Sequence, residues 1–273
     1  MGADSTPDAG NKQGHSVIRE AFSRIEQPVE PDLDPSLPRI GRRESEPHSA
    51  EVSYLHDVLE ANFEGSRTFW DLHHYFPLGQ DASEAECDVR FDVSFFKDFP
   101  IPQDQPSYRA AEFGNRVPDM AINILSKSTW RSDLSDNMES CRMLGIPLYV
   151  VFAPFHVATW QYKPPFLRAY FVNESGKYEP HDLVETIAKE GDAIQEADIA
   201  GKVLDVSNLV PFRIGLVERV KKYRGDLQEY RMVLIDPTEA RILLTSGEMD
   251  RDRANHLQDL VDKYRAKFGD LDQ

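Results

Sequence analysis

The sequence predicts a mixed α/β fold, and three observations carry that prediction. Val89, Phe91, Val93 and Phe95 alternate with Arg90, Asp92 and Ser94, the period of a strand with one covered face. Leu148 to Phe152 is an almost unbroken apolar run, as in a strand covered on both faces. Between them, "RVPDMAINILSKSTWRSDL" (residues 116–134) reads as a strand running into a helix start, so strand, helix and strand follow one another in a crossover that implies a mixed sheet.

Taken in order, residues 1–45 carry a proline series (Pro28, Pro31, Pro35, Pro38) and few apolar anchors, which predicts a disordered or loosely packed tail. Ser45-Glu46-Pro47 then places a capping serine and an early proline before the stripe Val52, Leu55, Val58, Leu59, so a helix is expected up to Phe63. In the opening stretch Pro118, Met120, Ile122 and Ile124 share the apolar face of a strand, and Asp119, Ala121 and Asn123 the other. Ser126-Lys127-Ser128-Thr129 can cap a helix start, Asp133 to Leu144 reads as helix, and Gly145 as its stop. Leu167 to Val172 and Phe212 to Val220 are further strands. Tyr230 to Leu234 and Arg241 to Thr245 flank Asp236-Pro237-Thr238-Glu239, which predicts a carboxy-terminal hairpin. From Ser246 to residue 273 a charged helix is expected, with Leu257, Leu260, Val261 and Tyr264 as its apolar stripe, but with no heptad series long enough to predict a coiled coil by itself. The expected organisation is a tail (1–45), one domain (46–245) and a terminal helix (246–273).

The chain of 273 residues holds 31 basic and 47 acidic side chains, a formal net charge of −16, which argues against loose, nonspecific binding to nucleic acid but leaves room for a local basic patch or a metal-held phosphate. No apolar run approaches the roughly 20 residues that span a bilayer. The polar start lacks the marks of a signal peptide, and Cys87 and Cys141 are too few for a disulfide framework, so a cytoplasmic setting is expected.

The polar sides of the two middle strands and the first turns of the following helix converge, if the strands are neighbours, on Asp92, Asp119, Asn123, Asp133 and Asn137. Metal-assisted phosphodiester cleavage needs such a group: carboxylates to hold Mg²⁺, and a cation near the nucleophile or the developing charge. By spacing alone the signal is weak, and strand-end polarity and helix capping account for these residues more readily than a metal site does. His73 and His74 are adjacent and point apart in a strand, which favours structural or surface roles over a shared metal. Trp70, Trp130 and Trp160 read as core residues more readily than as base-stacking platforms. No phosphate-cradling glycine loop, GxSxG elbow or HExxH pair is present.

The run "VPDMAINILSKSTWRSDLSDNMESCRMLGIPLYVV" resembles the Uma-two family of restriction-type endonucleases, a branch of the PD-(D/E)XK nuclease superfamily. The likeness extends to "EPHSAEVSYLHDVL", similar to the family's opening helix, to "RFDVSFF", similar to its metal-binding aspartate strand, and to "EYRMVLIDPTEARILLTSGE" near the end. The resemblance implies a restriction-endonuclease-like mixed sheet flanked by helices. It implies that Asp92 stands at the first metal carboxylate, Asn123 where the family has glutamate, and Asn137 where it has a lysine that has moved onto the helix. Asp92, Asn123 and the Ile124 carbonyl would then be the metal ligands, and Asn137 or Lys127 would attend the attacking water. Asn removes a negative charge from the first position and a fixed positive charge from the second, so both metal affinity and transition-state stabilisation should fall. Asp119 and Lys127 are the candidate substitutes on the same strand face. Two functions follow as expectations: a Mg²⁺-dependent DNA endonuclease, with Mn²⁺ as the alternative ion, or a catalytically inactive relative that binds nucleic acid or a partner protein. The terminal helix is the expected contact for a homo-oligomer or partner.

Overall fold

The computed structural model describes residues 46–77, 86–102, 104–173, 177–223 and 227–269; the expected tail, residues 1–45, lies outside the described residues. Helix α1 (Glu46–Asn62) is followed by strands β1 (Arg67–Pro77), β2 (Glu86–Phe96), β3 (Tyr108–Arg109) and β4 (Met120–Ile124). Short helices α2 (Trp130–Leu134) and α3 (Asp136–Leu144) lead to β5 (Leu148–Ala153), β6 (Phe166–Val172) and β7 (Tyr178–Leu183). Among the described residues these strands form one sheet in the order β3-β1-β2-β4-β5-β6-β7, parallel at β4–β5 and β1–β3 and antiparallel elsewhere. The crossover from β4 through α2 and α3 to β5 is the strand-helix-strand unit expected from residues 116–152.

Much of the chain after β7 packs against one face of that sheet. β8 (Ala188–Lys189), α4 (Glu196–Ile199), β9 (Leu204–Asp205), β10 (Arg213–Tyr223) and β11 (Leu227–Ile235) build a second sheet around the β10–β11 hairpin. The stripe Val52, Leu55, Val58 and Leu59 of α1 packs with Met120, Ile122, Ile124, Val150 and Phe152 and with Phe212, Ile214 and Leu234 of the hairpin region. The opposite face of β4 and β5 gives Ala121, Tyr149 and Val151 to a second core shared with Trp130, Cys141 and Phe155. Both faces of the central strands are thus covered, as the apolar run 148–152 required.

One expectation about β2 is corrected. Val93 and Phe95 belong to the core under α1, whereas Val89 and Phe91 belong to the opposite core. Pairing of β1 with β2 is interrupted at Asp71 and Asp92, which lie across from one another between the pairs Trp70↔Val93 and Leu72↔Phe91. Asp71 there takes a left-handed backbone, φ 48°, which an Asp tolerates better than a bulkier residue. The break exchanges the two faces of both strands, so one period-two pattern serves two cores.

Other boundaries move for local reasons. The helix expected over 133–144 begins earlier, at Trp130, and breaks at Ser135 (φ −127°, ψ −80°) before resuming as α3. Gly145 ends α3 in the left-handed conformation at φ 73°, as a glycine stop should. The hairpin partner of β11 is β10, and residues 241–245 add a single bridge, Ile235↔Ile242. Arg213 braces that turn, donating from Nη2 to the carbonyls of Asp236 (2.8 Å) and Glu239 (3.0 Å). A buried ion network absent from the sequence reading ties α1 to the hairpin: Glu51, 1% exposed, accepts from Arg231 Nε at 3.1 Å and lies 3.5 Å from Arg219 Nη1. Removing one partner of such a set strands a buried charge. Helix α5 (Ser246–Phe268) starts from a capping box between Thr245 and Glu248 and leaves the body. No helix among the described residues is long and apolar enough to cross a membrane.

His73 and His74 do point apart. His73 pairs with Asp88 at the surface, while His74 is buried with Nδ1 2.8 Å from the Leu72 carbonyl and Nε2 2.8 Å from Ser94 Oγ. A carbonyl only accepts, so Nδ1 carries the hydrogen and Nε2 receives the Ser94 hydroxyl, leaving a satisfied neutral ring. Burial lowers its pKa from 6.5 to about 4. The folded state therefore binds fewer protons than the unfolded one between those values, and its stability is complete above pH 6.5 and falls as pH drops towards 4. Denaturant midpoints measured across pH 4–7 should show a loss of about 3 kcal/mol from this group, and His74→Gln should flatten that slope.

Candidate functional site

The site is built where β2 leaves β4. Their backbone pairing runs Phe95↔Met120, Ser94↔Ala121, Val93↔Ile122 and then stops. Side chains take over the missing bonds. The Ile124 backbone N–H donates to Asp92 Oδ2 at 2.6 Å, and the Asp92 backbone N–H donates to Asn123 Oδ1 at 3.3 Å. Asp92 and Asn123, thirty-one positions apart in sequence, are held together by each other's strand.

Asn123 is 4% exposed, and its amide is used at both ends. Nδ2 donates to Asp133 Oδ1 at 3.0 Å. Asn137 Nδ2, one helical turn beyond Asp133, donates to the same oxygen at 2.9 Å. The break at Ser135 puts Asp133 on α2 and Asn137 on α3 while leaving both aimed at the sheet. Tyr149 fixes that end of α2 from β5 by donating its hydroxyl to the Asp133 carbonyl at 2.8 Å. Asp133 is 3% exposed, and its Oδ2 meets no hydrogen-bond donor. Burial raises its pKa to about 7, helped by the negative charge of Asp92, while groups on Thr129, Asn123 and Asn137 pull the other way. Asp133 is thus a buried carboxyl held at Oδ1 by two amides and left without a donor at Oδ2.

The open side belongs to Asp92. His48, buried near the start of α1, sets Nε2 3.3 Å from Asp92 Oδ2. A cleft of about 240 Å³ is lined there by His48, Ser49, Ser53, Trp70, Asp71 and Asp92, with Val52 at its apolar wall. Asp71, at the ladder break, accepts the Arg90 guanidinium, including Nε at 2.7 Å, so its charge is spent on that partner. Trp70 is 49% exposed and packs on the His56 ring with centroids 4.1 Å apart, at the mouth of the cleft.

Of the residues singled out from sequence, Asp92, Asn123, Ile124 and Asn137 come together around Asp133. Ile124 is tied in through its N–H. Lys127 sits half-buried in the turn at 127–129, and the bonds that join the other four do not pass through it. Asp119 is engaged elsewhere: its Oδ2 accepts the Lys97 backbone N–H at 2.8 Å, and both its oxygens accept Arg116 Nη2. Among the tryptophans only Trp130 is a core residue; Trp70 and Trp160 are exposed. Sequence reasoning missed His48 and Asp71. The signal for His48 was its place beside Pro47 at a helix start, which faces whatever the helix begins against. For Asp71 there was none, because no pattern announces a left-handed residue inside a strand.

Comparison with known proteins adds three findings. The model of the Uma2 family, described as "Putative restriction endonuclease", matches residues 44–187. A crystal structure from Anabaena variabilis ATCC 29413, described as a putative nuclease belonging to DUF820, aligns at 18% identity and a TM-score of 0.38 over 64% of this chain and 88% of that one. No curated protein matches.

The cluster around Asp133 makes a stability prediction. Asn123→Glu alone places a second carboxylate beside the buried Asp133 and should destabilise the fold by about 2 kcal/mol or more. Asn137→Lys added to it brings a compensating ammonium, so the double variant should recover a large part of the loss. Thermal or urea unfolding of the cycle checks this, and the two changes should couple rather than add.

Proposed function

Because the chain belongs to the Uma2 family of putative restriction endonucleases, we propose that it is a nuclease-fold protein whose hydrolytic centre is silent and whose cleft beside Asp92 still binds a DNA strand. The single observation that carries this reading is the double use of Asp133 Oδ1 by the Asn123 and Asn137 amides. Restriction-endonuclease-like families use a divalent metal, and the residues at those positions here do not fit a hard dication. Mg²⁺ takes octahedral oxygen ligands and favours carboxylates. Asn123 Oδ1 instead accepts the Asp92 N–H, one oxygen of Asp92 accepts the Ile124 N–H, and Asp133 is enclosed beneath two amides. Among the described residues no three His, Cys, Asp or Glu side chains are grouped to hold a metal. Nor is there an ammonium at 137 to steady a developing charge, and removal of one such electrostatic group costs on the order of a hundredfold in rate.

The paired losses are neutral for folding. Exchanging a glutamate and a lysine for two amides leaves the net charge of the site unchanged, while Asp133 keeps two donors. The half-exposed Trp70 at the cleft mouth offers a face on which a base can stack, worth roughly 1–3 kcal/mol. A cytoplasmic setting suits two buried, unpaired cysteines.

A second reading, a Mg²⁺- or Mn²⁺-dependent DNA endonuclease, has one observation in its favour: Asp92 is retained and lines the open cleft next to His48. Plasmid cleavage separates the two. The native chain and Asp92→Ala should both leave supercoiled DNA intact in Mg²⁺ and in Mn²⁺, whereas Asn123→Glu/Asn137→Lys should nick it in a manner that needs Asp92. Fluorescence anisotropy should detect binding of a labelled oligonucleotide by the native chain, weakened by Trp70→Ala. Nicking by the native chain that Asp92→Ala abolishes would instead establish the active enzyme.

A further inference from the structure

The wall of the cleft beside Asp92 is rich in hydrogen-bond acceptors. Asp92 Oδ2 accepts the Ile124 N–H and lies against His48 Nε2, whereas Oδ1 meets no donor among the described residues and the side chain keeps 21% of its surface open. Asp71 receives both Arg90 donors at Oδ1, which leaves its Oδ2 in the same condition. Ser49 and Ser53 add hydroxyls, and the described residues lining the space include no lysine or arginine. A phosphate finds little there: it binds through cations and N–H donors, and it would meet the charge of Asp92 instead. Trp70 contributes a broad flat surface, half of it in solvent.

We infer that the cleft takes one unpaired base, and that the base is one with an exocyclic amino group, as in cytosine and adenine, in preference to thymine or uracil. The inference rests on the reading that the chain binds a DNA strand without cutting it, and it specifies which part of the strand enters. A space of about 240 Å³ admits one heterocycle and not a duplex. Bases out of the stack are held in such pockets by an aromatic ring on their face and by hydrogen bonds along their pairing edge. Trp70 gives the stack. Asp92 Oδ1 accepts from the amino group, and a bond to an ionised acceptor is roughly twice as strong as a neutral one. A serine hydroxyl, able to donate, suits the ring nitrogen beside that group. Thymine and uracil turn carbonyl oxygens to the same edge, which a carboxylate repels. The strand's phosphates stay outside the cleft, as suits a chain with a formal net charge of −16.

The strand crossing makes Asp92→Asn a sharp test. The Ile124 N–H demands an acceptor where Oδ2 stands, so the amide oxygen of the variant goes there and its NH₂ group turns to the cleft. A donor then replaces the acceptor. Anisotropy of the full chain is measured with two labelled single strands about twelve nucleotides long, one all deoxycytidine and one all deoxyuridine, which differ only along the pairing edge. The native chain should bind the cytosine strand about tenfold more tightly, and Asp92→Asn should reverse the order. Trp70→Ala should weaken both strands by a similar factor and keep the preference, because stacking does not read the amino group. Glu64→Gln, which removes an exposed acid beyond the far end of α1, should change neither strand. Circular dichroism melts check that each variant is folded. Equal affinity of the native chain for the two strands, or a cytosine preference that survives Asp92→Asn, would overturn the base assignment and leave strand binding standing. Binding of neither strand would overturn strand binding itself, and this inference with it.

Discussion

The contact between the Ile124 backbone N–H and the Asp92 carboxylate, 2.6 Å across the point where β2 and β4 part, governs the rest of the molecule. A strand that leaves its neighbour exposes donors and acceptors that must be satisfied. Here a carboxylate and an amide satisfy them, and that requirement alone fixes Asp92 and Asn123 beside one another. The same parting coincides with the Asp71 break in β1, exchanges the faces of β1 and β2, and lets one sheet serve two cores. A cleft opens at that crossing because strand regularity is lost there, with α1 bringing His48 to its edge.

The electrostatics of the crossing are consistent with the proposal that the hydrolytic centre is silent while the fold is kept. A lone loss of glutamate or lysine would leave an imbalance around the buried Asp133. Loss of both leaves two amides, each able to donate to Asp133 Oδ1, and the structure has both bonds. On the proposed reading, what positions 123 and 137 lack is the pair of charges that would meet a phosphate and its counter-ion.

Much of this was legible in the sequence where periodicity spoke for burial. The apolar run 148–152, the α1 stripe and the Gly145 stop all translate into observed elements, because each depends on contacts within a few residues or on one covered face. The convergence of positions 92, 123 and 137 was legible through the resemblance of the motifs carrying them. What stayed hidden was non-local. Val89 to Phe95 gave no hint that its alternation would be split between two cores, since the cause lies on another strand at Asp71. The network of Glu51, Arg219 and Arg231 joins residues far apart in sequence, and charged residues in a helix and a hairpin read as solvent-facing. Asp119 looked like a spare carboxylate until the Lys97 backbone and Arg116 claimed it. The apolar stripe of α5 was visible, but its lack of any covering from the body was not.

The most direct measurement is an anomalous difference map from a crystal of the native chain soaked in Mn²⁺. The account predicts no manganese peak between Asp92 and Asn123, with both asparagine amides still directed at Asp133 Oδ1. A strong peak ligated by an Asp92 oxygen and Asn123 Oδ1, with the Asn123 amide turned away from Asp133, would contradict it.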